Sequence, residues 1–268
     1  KPNNRFIMIE KEVLKRIQRL GKLYKHKCDA NIPQDLIIVN IGCSHNKDDA
    51  FHFIVNNQKN IKKVHLIDAA PEAIKKCKKL YEKHVYADFF KKIELHQIAI
   101  VANPNIDTVK MLFPSEDTAS GFATTDLEMA INNAVGQRTN TPEGFEAVQK
   151  TIVDGKLRVP LVHIEVACST VNCFLKKIGL KDIDRLYIDI EGLDSDVLLN
   201  LDLDYFNIPF ILYEHLHLDG YMNKKTTGPF PKHKRLHQKL KNYNFNIYAH
   251  GAWNALALNE EMNLSLLH

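Results

Sequence analysis

Between residues 35 and 100 the chain alternates short, unbroken apolar runs with amphipathic segments, and that rhythm restricts the fold more than any other feature. DLIIVNIG (35–42), KKVHLIDA (62–69) and IELHQIAI (93–100) read as strands. NKDDAFHFIVNN (46–57) and PEAIKKCKKLYEKH (71–84) read as helices. Pro71 stands in a first helical turn, where its missing N–H costs nothing. Strands without a polar face need cover on both sides. Alternation with helices therefore predicts an α/β fold: a mostly parallel sheet with helices on both faces.

The rhythm breaks near residue 101. TVKMLF (108–113) reads as an extra strand, but the following stretch is rich in Thr, Asn and Gly and lacks core periodicity. A connection this long is expected to be an insertion at about 114–160, either a functional lid or a surface loop. Regular elements resume with a strand at 162–169 and a helix at 170–179 that stops at Gly179. RLYIDIEG (185–192) is the next strand, followed by a short helix, DSDVLLNL (194–201). PFILYEHLHL (209–218) reads as a strand and PKHKRLHQKLKNY (231–243) as a helix. FNIYAHG and AWNALALN close the chain as an antiparallel pair turning near Gly251. Residues 1–34 hold an amphipathic helix with Val13, Ile17, Leu20 and Leu23 on one side, an extension that packs on the main domain or makes a homodimer contact. The expected organisation is one domain, 35–268, behind the extension 1–34.

Composition narrows the function classes. Of 268 residues, 45% are hydrophobic and 25% charged, the ordinary balance of a globular protein. A formal net charge of +4 is too small to argue for nucleic acid. Five cysteines, an odd number without a CxxC pair, argue against structural zinc and a disulfide framework. Reduced thiols and a cytoplasmic setting are expected. No apolar run has the length of a membrane span. The chain starts at Lys1 and reads as trimmed, so a signal peptide is not judged from it.

Parallel sheets bind ligands outside the carboxyl ends of their strands, so those ends hold the candidate site. The first ends in Ile41-Gly42-Cys43-Ser44-His45, where glycine allows close backbone approach and the next helix offers N–H groups. A full GxGxxG is absent, which speaks against a dinucleotide-dependent oxidoreductase. The second ends in Asp68, placed either to accept ribose hydroxyls or to cap the helix at Pro71. The third ends in Gln97-Ile98-Ala99, whose amide and backbone groups suit a purine. The fourth carries Asp189 and Glu191, two apart and so on one side of the strand. The fifth ends in Glu214-His215, with His217 and Asp219 beyond. Carboxylates and imidazole there suit a general base, or a divalent metal between Asp189, Glu214 and His215, or a structural network. Asp194 and Asp196 read as helix-start residues.

These motifs resemble the FkbM-type S-adenosylmethionine-dependent methyltransferases. LIIVNIGCS, VHLIDAAPEAIKKC, IELHQIAI, RLYIDIEGLDSDVL and FILYEHL carry the resemblance over residues 35–260, and Ile188-Asp189-Ile190-Glu191-Gly192 is its most specific piece. It implies a Rossmann-like class I methyltransferase fold: a seven-stranded, mostly parallel sheet with a C-terminal antiparallel pair. It implies S-adenosylmethionine as cofactor and methyl transfer to a hydroxyl of a small molecule or sugar. Gly42 and Ser44 would line the methionine part, Asp68 with Ala69 the ribose, and Gln97, Ile98 and Ala99 the adenine. Ser120-Gly121 would match a loop closing over the cofactor. The chain departs from the family at Cys43-Ser44-His45, which replaces Ala-Asn and a second glycine, and in its long insertion. Position 194 has Asp where Glu is common. His215 or Asp189 would take the hydroxyl proton, with Glu191 and Glu214 orienting the partner. Other classes are an RNA or protein methyltransferase and a non-catalytic cofactor-binding protein of the same fold.

Overall fold

The computed structural model describes residues 25, 32–43, 47–113, 152–153, 156–157, 162–190, 192–215, 231–250, 254–259 and 261. Most of the N-terminal extension and of the 114–160 insertion, and the turn near Gly251, lie outside them. Strand β1 (Leu36–Ile41) leads to helix α1 (Asp49–Asn56), then β2 (Ile61–Asp68) and α2 (Pro71–His84). A short α3 (Ala87–Phe90) precedes β3 (Ile93–Gln97), and β4 (Ala99–Val101) and β5 (Thr108–Phe113) follow. Two-residue strands β6 (Ile152–Val153) and β7 (Lys156–Leu157) pair antiparallel. Then come β8 (Val162–Thr170), α4 (Val171–Lys177), β9 (Arg185–Ile188), α5 (Asp194–Asn200), β10 (Phe210–Glu214), α6 (Pro231–Asn242), β11 (Phe245–His250) and β12 (Asn254–Asn259).

The main sheet has seven strands in the order β11-β12-β10-β9-β1-β2-β3. All neighbours pair parallel except at β12, which is antiparallel to both β10 and β11. This is the seven-stranded, mostly parallel sheet with a C-terminal antiparallel pair that the resemblance implies. Strand order reverses between β1 and β9: β2 and β3 extend the sheet one way from β1, and β9 and β10 the other. Such a reversal opens a crevice at the strands' carboxyl ends.

Two apolar clusters cover the two faces. Ile38, Val64, Leu66, Tyr187 and Leu212 pack with Phe51, Ile54 and Tyr81 of α1 and α2. Val39, Ile41, Ile188, Ile211 and Tyr213 pack with residues of α4, α5 and α6, among them Phe174, Val197 and Leu236. Alternation along each strand produces this division, and each fully buried aliphatic side chain contributes about 1.5–3 kcal/mol.

Helix starts follow local chemistry. Asp48 caps α1, its carboxylate accepting from the Phe51 N–H at 2.6 Å. Thr170 caps α4 through the Cys173 N–H. Gly179, at φ +75°, closes α4 with Leu180 N–H donating to the Leu175 carbonyl.

Three expectations change. The run 93–100 is not one strand: it breaks at Ile98, whose N–H donates to the Asp68 carbonyl, and Ala99 moves to a second sheet. There β8 pairs with β4 and β5, so the 162–170 strand stands outside the main sheet. The strands at 185–192 and 209–218 stop early, at Ile188 and Glu214.

Candidate functional site

Gly42 sits at the strand-order reversal with φ +81°. A Cβ there would lie 1.7 Å from the Asp189 carbonyl oxygen, so the position admits only glycine. The close approach is thus between two pieces of backbone, the end of β1 and the segment after β9. Asp189 N–H donates to the Ile41 carbonyl at 2.9 Å and continues that contact. The N–H groups of Gly42 and Cys43 both donate to the Ile67 carbonyl, at 2.8 and 3.1 Å. These two bonds tie the end of β1 to β2.

Asp68 closes β2. Its Oδ1 accepts from the Ala70 N–H at 2.8 Å, so it holds the start of α2. Its charge reaches across to Asp189. Asp189 is the first residue past β9 and is open to the crevice, yet it is ringed by protein atoms. That crowding, and then repulsion from Asp68, pushes its carboxyl up to about 6. Asp48 is likewise pushed up to about 6, by burial first, against the lowering bonds from Phe51 and Asn40 and with Asp189 adding repulsion. Its neighbour Asp49 moves the other way, held low by His250 at 3.2 Å and Lys25 at 3.4 Å.

A crevice open to solvent lies among these groups, with Asn40, Asp48, Tyr187, Asp189, Tyr213 and Asn254 on its walls. Asp194 stands behind it, fully buried at the start of α5. Its Oδ2 accepts from the Ile190 N–H at 3.4 Å, and the Glu214 N–H also donates to this carboxylate. It therefore fastens the segment after β9 to the end of β10. Burial, then the nearby Asp189 charge, pushes it up to about 8. It is more than a helix-start residue. Its Oδ1 and the buried Tyr213 hydroxyl have no hydrogen-bond partner in the structure. Orphaned polar atoms beside a carboxylate-lined crevice fit a polar, positively charged ligand.

The residues expected to form the site are only partly together. Gly42, Asp68 and Asp189 meet at the reversal. Ala69 and Gln97 flank it at the ends of β2 and β3. Ile98 is half-buried, and Ala99 is buried against Ala70 and Ala73. Ser44, Glu191 and Ser120 lie outside the described residues, as do His217 and Asp219. Glu214 is buried at the end of β10, paired across to Asn254. His215 turns toward α6, its ring centroid 5.9 Å from that of His233. A metal between Asp189, Glu214 and His215 is not supported. Among the described residues, the ligand atoms that gather closely are those of His65, Glu94 and His96. Asn40 and Asp48 were not singled out from the sequence. Asn40 has a signal, a polar residue within the apolar run LIIVNI; Asp48 reads simply as a helix cap.

Comparisons with known proteins follow the same line. The family model described as "Methyltransferase FkbM domain" matches residues 27–247. No curated protein matches significantly. Among solved structures, a methyltransferase FkbM from Methylobacillus flagellatus KT is 11% identical, with TM-score 0.45, over 84% of this chain and 43% of that one. TrmK of M. capricolum, bound to S-adenosyl-homocysteine, is 14% identical, with TM-score 0.40, over 87% of this chain and 66% of that one. An O-methyltransferase from Bacillus cereus, also with S-adenosyl-homocysteine, is 7% identical, with TM-score 0.39, over 90% and 80%. The chain thus spans less than two thirds of the length of the first two. No described helix is long and apolar enough to cross a membrane.

Proposed function

The chain belongs to the FkbM methyltransferase family, and from that premise we propose that it transfers a methyl group from S-adenosylmethionine to a hydroxyl of a small molecule or sugar. The observation that carries the reading is the gathering of Asp48, Asp68 and Asp189 around Gly42 at the strand-order reversal. Their combined negative potential suits a cationic ligand. When bound, S-adenosylmethionine supplies a methyl group already activated on a positively charged sulfur. Asp68 accepts hydrogen bonds from ribose hydroxyls, beside Ala69 and Gln97. Gly42 keeps the crevice open by letting the two backbones close behind it.

Asp189 is assigned as the general base. Its carboxyl, held near 6, is mostly ionised at neutral pH yet basic enough to take a hydroxyl proton as the new bond forms. Asn40 and Asp48 line the same crevice and orient the acceptor. Alignment of the acceptor oxygen is the main task, since the methyl donor needs no further activation. His215, on the α6 side, is left out of the proton transfer.

Calorimetric titration tests the reading. S-adenosylmethionine is expected to bind and NAD not to bind. S-adenosylmethionine should bind more tightly than S-adenosyl-homocysteine, which lacks the sulfonium charge, and Asp189→Asn should shrink that preference. An absence of S-adenosylmethionine binding overturns it. A screen of hydroxylated acceptors then identifies the substrate.

A further inference from the structure

A second cluster stands away from the crevice, on the β2–β3 edge of the sheet. Register pairs His65 with Glu94 and Ile67 with His96, so His65, Glu94 and His96 share one sheet face. His65 Nδ1 lies 3.1 Å from His96 Nε2 and 3.3 Å from Glu94 Oε2, and His96 Nε2 lies 3.7 Å from the same oxygen. Three potential ligand atoms thus lie within 4.8 Å of one another. A tetrahedron with arms of about 2.05 Å, the usual zinc–ligand length, has edges of about 3.3 Å.

We propose that His65, His96 and Glu94 form a binding site for Zn²⁺, with water in the fourth position. Two imidazole nitrogens and one carboxylate oxygen form a donor set that this ion takes. Glu94 divides its two oxygens: Oε2 faces the histidines, while Oε1 pairs with Lys63. The carboxylate can therefore ligate through one oxygen while Lys63 orients it through the other, as outer partners of metal sites do. Lys63's positive charge also weakens the site for any cation. The Phe174 ring, edge-on to His96 at 5.2 Å, fixes that side chain from α4. Glu94 is half-exposed, which gives the ion and its water an entry. None of the three lines the crevice: His65 is three residues, about 10 Å, before Asp68, and His96, though next to Gln97, points to the opposite face of the strand from it. Zinc here would clamp the edge strand β3 onto β2.

The test uses the untagged full chain, stripped with a chelator, with Zn²⁺ and Co²⁺ as probes. Expected are one equivalent of metal, the intense visible bands of tetrahedral cobalt, and a rise in melting temperature with Zn²⁺. His96→Asn and Glu94→Gln, at the less buried positions, should weaken binding at least about tenfold and abolish the thermal shift. His233→Gln, on α6, should leave all three unchanged. No metal uptake by the wild-type chain overturns the proposal. So does the weak spectrum of six-coordinate cobalt, or binding that survives His96→Asn and Glu94→Gln but is lost in His233→Gln.

Discussion

Strand β9 is four residues long, and its two ends treat charge in opposite ways. At the amino end Arg185 is buried, its guanidinium 3.7 Å from the Phe53 ring centroid and 4.5 Å from that of Phe210. Asp184 beside it accepts from the Ile37 N–H at 2.7 Å, a bond that opposes the upward push of burial on its carboxyl. Each charge there has a partner that favours it. At the carboxyl end, after burial, the main influence on Asp189 is another carboxylate, Asp68, and Asp189 in turn raises Asp48 and Asp194. One end settles its charges and the other holds like charges together. Natural folds keep such strain where it serves a ligand or a reaction.

The contrast breaks most completely at Gly42. Gly42→Ala drives a methyl group into the Asp189 carbonyl at a backbone conformation with φ +81°. The expected loss is about 3 kcal/mol or more of stability, together with all cofactor binding. Urea denaturation and calorimetry measure both, and near-wild-type values would show that the two backbones can part. Asp189→Asn comes next. Methyl transfer should fall about 10²–10⁴-fold, while the fold and ribose contacts persist. In the wild-type chain the rate should rise with pH through about 6, and this arm should vanish in the variant. A retained pH arm would move the base to another residue.

How far these ends could be read from sequence differs from residue to residue. Unbroken apolar strands announced the parallel sheet, because residues covered on both faces leave no polar alternation. Pro71 and the residues after it predicted α2 with both its ends, because local chemistry sets them. The break at Ile98 was not legible: apolar residues stand on both sides, and only the Asp68 carbonyl and the β8 pairing reveal a change of sheet. Gly42, Asp68 and Asp189 were legible from their places at strand ends, though the reason for Gly42 was not. Its neighbour is Asp189, nearly 150 residues away in sequence. Asp194 looked like a helix-start residue because its burial depends on β10 and the segment after β9. Strand parity predicted a shared side for Asp189 and Glu191, but the strand stops at Ile188 and Glu191 lies outside the described residues. His215 was drawn toward the site by proximity in sequence; in space its ring meets α6.

Asp194 gives a smaller effect with a defined pH window. Its carboxyl is raised from 3.8 to about 8 in the folded chain, so the folded state keeps a proton that the unfolded state releases. Stability contributed this way is present at low pH and falls as pH rises from about 4 to about 8. Asp194→Asn mimics the protonated form and retains an acceptor for the Ile190 and Glu214 N–H groups. Its stability should match wild type near pH 4 and exceed it by a margin that grows toward pH 8. Denaturation at several pH values checks this. A constant gap would mean that Asp194 does not carry the like-charge strain.

The amino end supplies the smallest effect and the control. Arg185→Lys keeps a positive charge but replaces a flat, delocalised group by a compact ammonium, which stacks less well between Phe53 and Phe210. The expected cost is about 1 kcal/mol, the size of one cation–π contact. It should be the same at pH 5 and pH 8, because no carboxylate pile-up depends on Arg185. Cofactor affinity should be unchanged, since Arg185 sits at the opposite end of β9. If Arg185→Lys instead altered the pH slope as Asp194→Asn does, the two ends of the strand would be coupled through its four residues. The separation of a settled end from a strained one would then fail.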